Sequence, residues 1–374
     1  MENKKKEVEY LIHLLSCALN GKEVRHQEGI DYSTLLSLAR KHQVYNIIFP
    51  LIKDDSDVPE EYKKKFRDYN LSEISRMLVI NNERSEVYDS LEENGIKYMP
   101  LKGLIIKDYY PMESMRQMSD NDILFDVKYR DVVADLMKSM GYKSIATGEN
   151  SDDYHKPPYC TFEFHRTLFF AENDFCPKFD NLWENAVKDD EREYMYHMGL
   201  EDIYIYSVCH MYKHFTTAGC GIRFLADNYL FLKKEQEKLD WKRIDSFMSE
   251  YNISDYEQKC RRLAFDMFDE NELDDDELEL LETFMNFGIF GNGGIRIANR
   301  IKKLSEGSSI EQAKKEYLLY RLFPPKSKMI ADNRILEKKP YLLPFYYILR
   351  LFKALFNGRK TLNEISEIKD VESK

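Results

Sequence analysis

The chain lacks any C-x-x-C pair, so its six scattered cysteines (Cys17, Cys160, Cys176, Cys209, Cys220, Cys260) read as reduced thiols of a cytoplasmic protein. No window reaches the roughly eighteen uncharged apolar residues of a membrane-spanning helix. The opening MENKKKEVEY has no apolar stretch of the kind a signal peptide needs. Glycine is scarce, 15 residues against 26 tyrosines and 22 phenylalanines, which favours aromatic-packed helices over a β-sandwich. Positive charge is not in excess: 55 basic residues face 66 acidic ones, a net charge of -11, and such a field argues against extended contact with nucleic acid while allowing a local basic cleft. With 43% hydrophobic residues over 374 positions, the chain is globular and long enough for two or three domains.

Several familiar motifs are also missing. The glycine-rich stretch GIFGNGG at 288–294 is not followed by G-K-[ST], which leaves a phosphate cradle or a plain flexible loop. The acidic run at 266–282 lacks the glycine and ligand spacing of an EF-hand and reads as a solvated loop and helix start. His210 and His214 lie one helical turn apart, as zinc can use, but the glutamate of H-E-x-x-H is absent. No third ligand is evident, so zinc is the weaker reading for this pair.

Apolar periodicity and punctuation predict helices over 5–20, 32–51 (capped by Asp31 or Ser33) and 60–94, with His13, His26 and His42 as exposed or half-buried helix residues. A strand is expected at 96–101, then a short helix at 104–109 ended by Pro111, a polar loop carrying Arg116, and a strand entered through Asp120-Asn121-Asp122. A helix at 128–140 stops at Gly141; strands follow at 142–146 and 159–164, separated by a polar loop. Helices fill the rest: 200–214, 221–234, 241–250, 254–268, 275–287 and 295–303. The aromatic segment 341–356, with Arg350 and Lys353, reads as core packing or as a surface for peripheral membrane contact. The organisation is therefore α+β: a helical segment at 1–94, a small mixed sheet within 95–190, a helical region at 191–356 and an unstructured tail at 357–374.

Chemistry concentrates in residues 100–125. Residues two apart on a strand share a face, so Asp120 and Asp122 aim both carboxylates at one spot. Such a pair repels unless a proton or a divalent cation lies between them. Glu163 falls on the later strand with Thr161 on its own face and Phe162 and Phe164 on the other, and His165 shares the face of Glu163. Three acids converging from neighbouring strands suit in-line phosphoryl or nucleotidyl transfer. The turn at Lys102-Gly103-Leu104 offers backbone N–H groups to a phosphate. Arg116 could grip phosphate bidentately. Arg223 and Asp227, at i and i+4, either pair on a helix surface or place an arginine in the cleft.

Pro100-Leu101-Lys102-Gly103, Tyr110-Pro111, Arg116, Asp120-x-Asp122-Ile123-Leu124, Gly141-Tyr142 and Glu163-x-His165 together resemble the uncharacterised nucleotidyltransferase family of bacteria, a divergent branch of the DNA polymerase β-like superfamily. His210, His214, Arg223, Asp227 and Phe323-Pro324-Pro325 extend the likeness to about residues 30–355. The resemblance implies a nucleotidyltransferase core flanked by helices. Asp120, Asp122 and Glu163 would bind two magnesium ions; Lys102, Gly103, Arg116 and His165 would meet the nucleotide, with ATP as the assumed NTP; His210, His214, Arg223 and Asp227 would line the substrate cleft. The reaction implied moves a nucleoside monophosphate to a hydroxyl of a small molecule or protein, and the alternative is a degenerate nucleotide- or protein-binding module of the same fold. Two departures stand out. Lys-Gly-Leu replaces the superfamily's Gly-Ser or Gly-Gly, so Lys102 is either a phosphate-binding charge or an exposed loop lysine, and Asn121 sits where an apolar residue is common.

Overall fold

Four helices lead into the sheet: α1 (Lys5–Asn20), α2 (Tyr32–Lys41), α3 (Tyr45–Ile52) and the long α4 (Glu60–Glu93). The computed structural model describes residues 5–148, 150–169, 175–179, 181–289, 291, 293–333, 335–356, 358–369 and 371. Asp31 caps α2 by accepting from the Ser33 N–H. The single helix expected at 32–51 is broken between α2 and α3. Gln43 takes a φ of 53°, and the Lys41 carbonyl at the end of α2 accepts from the Ile289 N–H (3.0 Å), which holds the chain end against a distant loop.

The sheet is built from β1 (Tyr98–Pro100), β2 (Asn121–Phe125), β3 (Lys143–Thr147), β4 (Ser151–Lys156) and β5 (Cys160–His165), with α5 (Gly103–Ile106) after β1 and α6 (Arg130–Ser139) after β2. Its order is β1-β2-β5-β4-β3; β2 and β5 run parallel and the other neighbours antiparallel. The strand β4 falls inside the predicted polar loop. Its sequence, SDDYHK, carries one large apolar residue, so alternation gives no signal. Asp152 is nevertheless buried, because Arg130 grips it with two bonds (2.7 and 2.9 Å) and Arg166 adds a third contact at 2.9 Å.

Alternation decides what each sheet face does. Ile123 and Phe125 of β2 join Phe162 and Phe164 of β5 against Ile80, Val87 and Leu91 of α4 and Val133 and Met137 of α6. Asn121 also points toward the helices, where its amide is satisfied: Arg84 donates to Oδ1 (3.2 Å) and Nδ2 donates to the Thr161 carbonyl (3.2 Å). The polar residue between the aspartates is thus a paired core residue. The other face of β2 and β5 carries Asp122, Glu163 and His165.

After the two-stranded ribbon β6 (Val187–Lys188) and β7 (Tyr196–His197), the chain is helical: α7 (Leu200–Thr217), α8 (Arg223–Glu235), α9 (Trp241–Glu250), α10 (Ser254–Asp269), α11 (Asp275–Phe287), α12 (Gly293–Leu304), α13 (Ile310–Leu322), α14 (Lys326–Asp332), α15 (Ile335–Lys338), α16 (Leu343–Phe356) and α17 (Gly358–Lys369). Leu11, Leu15, Leu35 and Ile48 of the first helices share one core with Leu225, Tyr229, Leu263 and Phe268 of the later ones. The tail expected to be unstructured is helical at Gly358–Lys369, with Ile368 buried beside Ile297 and Ile301 of α12; residues 357, 370 and 372–374 lie outside the described residues. In the 288–294 stretch, apart from 290 and 292, which also lie outside, residues 288, 289 and 291 are packed against neighbouring elements and 293–294 open α12. The Ile289 N–H is taken by Lys41, and a Cβ on Gly291 would come within 2.4 Å of the Ala218 carbonyl oxygen, so those positions cradle no phosphate.

His42 is fully buried, not half-exposed, and its Nδ1 accepts from the Ile222 N–H (3.4 Å). Burial, helped by the Lys41 charge, pushes its pKa from 6.5 down to about 3. Between those values the unfolded chain binds a proton that the folded one refuses, so stability is lost as pH falls through that window. The loss should reach about 2 kcal/mol at pH 5. Urea midpoints at about pH 7.5 and pH 5 check this. His42→Gln should lose about 2 kcal/mol less than the native protein over that interval, and an equal loss in both would remove His42 as the cause.

Candidate active site

The acidic face of the sheet opens into a cavity of about 360 Å³, walled on the far side by α7 and α8. Its lining includes Lys102, Gly103, Arg116, Asp120, Asp122, Glu163, His165, His210, His214, Arg223 and Asp227, so residues scattered over 126 positions meet in one place.

Two strands set the centre. The parallel register places Asp122 opposite Glu163, and Asp120 precedes β2 by one residue. Asp122 is almost fully buried, and its Oδ1 takes Lys102 Nζ at 2.5 Å and His165 Nε2 at 2.7 Å. Glu163 Oε2 lies 3.9 Å from the same ammonium and 3.5 Å from the same imidazole. Asn150 Nδ2 is 3.4 Å from the other ring nitrogen, Nδ1, of His165.

The electrostatics are those of crowded acids. Burial and then the Asp122 charge push the Asp120 carboxyl up to about 6, with Lys102 pulling the other way. Burial alone would raise Asp122 too, but Lys102 and His165 outweigh it and hold this carboxyl well below the usual range. Lys102 is desolvated, which disfavours its charge, yet Asp122, Tyr206 and Glu163 keep the ammonium firmly protonated. It is therefore neither an exposed loop lysine nor free to reach a phosphate from this position. Its backbone is strained, with φ 52° and ψ -122° at a non-glycine residue, and such conformations persist where surroundings enforce them.

Arg116 is placed differently from the expectation, whereas Arg223 takes the cleft alternative and lines the cavity. Arg116 makes a bidentate pair, but with Asp227: Nε to Oδ1 and Nη2 to Oδ2, both 2.8 Å, joined by the Tyr110 hydroxyl at 2.8 Å. Asp227 is thus bound by Arg116, and Arg223 is no surface partner for it. Arg223 is buried and donates to the Gln43 side chain and to the Gln117 carbonyl (3.3 Å), while its Nε has no hydrogen-bond partner. Burial and the Arg116 charge lower its pKa to about 10.

His210 and His214 face each other with Nε2 atoms 3.0 Å apart. Burial and then the His214 charge push His210 well below its usual value, and burial and the neighbouring Lys213 charge lower His214 to about 4. Among the described residues they join no cluster of three metal-ligating side chains, whereas Asp122, Glu163 and His165 do, with ligand atoms within 4.8 Å of one another. The carboxylate oxygens are hard donors suited to magnesium or manganese. Tyr206, buried and with an unpartnered hydroxyl, lines the same space. The donor set fits a divalent cation.

Sequence reasoning passed over Tyr206 and Lys213, which also line the cavity. Positions 206, 210, 213 and 214 fall on one face of α7, so helical spacing from the two histidines was the signal that could have found them. Asn150 and Ser151 had no such signal.

A family model described as "Uncharacterised nucleotidyltransferase" matches residues 28–269, more than half of the chain. No curated protein and no solved structure matches it.

Proposed function

Since the chain belongs to the uncharacterised nucleotidyltransferase family, we propose that it moves a nucleoside monophosphate from an NTP to a hydroxyl of a small molecule or protein and releases pyrophosphate. The observation that carries this reading is the convergence of Asp120, Asp122 and Glu163 on one cavity wall, facing the helices that bring Arg223 and Lys213. Asp120 and Asp122 would hold magnesium, and Glu163 completes the carboxylate set. A bound divalent cation supplies positive charge to the triphosphate and to the leaving pyrophosphate. Glu163, on the rim of the set, accepts the proton of the attacking hydroxyl. His165 fixes the orientation of Asp122 through its 2.7 Å bond. ATP is the first nucleotide to try. The test is transfer of α-phosphate label from each NTP, with magnesium, to pools of small-molecule and protein acceptors, with pyrophosphate release followed in parallel. No transfer with any nucleotide and acceptor would rule the reading out.

Lys102 favours a second reading. Its ammonium supplies Asp122 with a permanent counter-charge, which suits a nucleotide-binding module that no longer catalyses. NTP binding that is indifferent to metal, with no transfer, would support that reading. Under the catalytic reading the lysine competes with the cation, so Lys102→Met should tighten manganese binding about tenfold, the effect of removing one nearby like charge. Titration calorimetry with manganese reads this directly, and unchanged or weaker binding contradicts the competition.

A further inference from the structure

The outer face of α16 is apolar and uncovered. Phe345, Ile348 and Phe352 are 55%, 51% and 54% exposed, and Tyr341, in the tight turn just before the helix, is 73% exposed. Spacings of three and four residues stack the three helical side chains in one stripe along the helix direction. The opposite side of the segment is the one held to the protein. Tyr347 Oη donates to the Pro324 carbonyl (2.6 Å), its ring lies 6.1 Å from that of Phe323, and Arg350 Nε donates to the Arg321 carbonyl (3.1 Å). The helix therefore turns its apolar side to solvent, the reverse of a helix that packs on a core. Phe323 and Leu322, at the end of α13, are exposed as well.

The sequence on either side of this stripe is charged against the rest of the chain. Residues 321–360 hold ten basic side chains (Arg321, Lys326, Lys328, Arg334, Lys338, Lys339, Arg350, Lys353, Arg359, Lys360) and two acidic ones (Asp332, Glu337), within a protein of net charge -11. Arg321 is occupied by Glu364, and Arg350 lies 3.9 Å from Asp332. Lys338 and Lys339, just before the stripe, and Lys353, on its flank, are exposed. A second copy of the chain would bring like charge against like charge here. Among the described residues no helix is long and apolar enough to cross a membrane, and the 14 residues of α16 span only about 21 Å.

We propose that this face rests on an anionic lipid bilayer, with Tyr341, Phe345, Ile348 and Phe352 dipping below the headgroups and the flanking lysines reaching the lipid phosphates. Long lysine stems suit that boundary because their methylenes bury while their ammonium groups stay wet. The binding is peripheral and salt-sensitive.

Sedimentation of the full chain with vesicles tests it. Vesicles containing about 30% phosphatidylglycerol should carry the protein down, pure phosphatidylcholine should not, and added salt should release it. Phe345→Glu with Phe352→Glu should abolish sedimentation while leaving the melting curve unchanged, since both rings are more than half exposed. Lys338→Glu with Lys339→Glu should weaken partitioning roughly thirtyfold or more, at about 1 kcal/mol per basic residue removed near the surface. Protein that stays in the supernatant with both vesicle types overturns the proposal. So does a concentration-dependent dimer that the Phe→Glu pair dissolves, because a second copy would then cover the face.

Discussion

Asp122→Asn should reduce nucleotidyl transfer at least about a thousandfold, with the fold retained. Asparagine keeps the size of the side chain and one oxygen, so the buried space stays filled. What it removes is the charge that Lys102 and His165 both address, at 2.5 and 2.7 Å. Without it the divalent cation loses a central ligand, and Lys102 keeps Glu163, 3.9 Å away, and Asp120 as its acidic neighbours. The measurement is single-turnover label transfer at saturating magnesium, beside manganese titration and a circular-dichroism melt. Asp120→Asn is the companion. Its carboxyl is already pushed up to about 6 by burial and by Asp122, so losing its charge relieves repulsion in the free protein and stability should hold or rise slightly. Transfer within tenfold of the native rate in Asp122→Asn would leave the proposed role without support.

The centre of this site could be read from the sequence because strand geometry is strictly periodic. Once Phe162 and Phe164 were assigned to the core, Glu163 and His165 had to face the other way, and the same reasoning put Asp122 opposite the buried Ile123. The helical segments were legible for the same reason, with apolar residues at helical spacing. Failures came where a polar group is stabilised by a partner distant in sequence. Asp152 looks like a loop residue until Arg130 and Arg166 are seen around it. Arg116 looks like a free loop arginine because Asp227 lies 111 residues away. The break after α2 depends on Ile289, from the far side of the chain. Local pattern records which side of an element is apolar; it does not record which buried charges will find each other.

The Arg116–Asp227 pair should accordingly be the costliest contact in the cleft to break from one side. Arg116 is 9% exposed and Asp227 7%. Arg116→Ala would leave the Asp227 carboxylate buried with the Tyr110 hydroxyl as its remaining hydrogen-bond donor of this group. Removing one member of such a pair typically costs about 3–5 kcal/mol, chiefly through the stranded charge. Asp227→Ala should cost a similar amount, since Arg116 would then face Arg223, another buried guanidinium, without the carboxylate that offsets them. The double variant Arg116→Ala with Asp227→Ala should lose well less than the sum of the single losses, because the two charges of the pair leave together. Urea midpoints across the four proteins measure the coupling. The pair also fixes the turn beside the acids: a Cβ on Gly103 would lie 3.4 Å from the Arg116 guanidinium nitrogens. Arg116→Ala should therefore loosen Lys102-Gly103 and reduce transfer in the molecules that remain folded. Single losses below about 1 kcal/mol would mean that solvent reaches the pair and screens it, and the cleft would then be more open than its lining suggests.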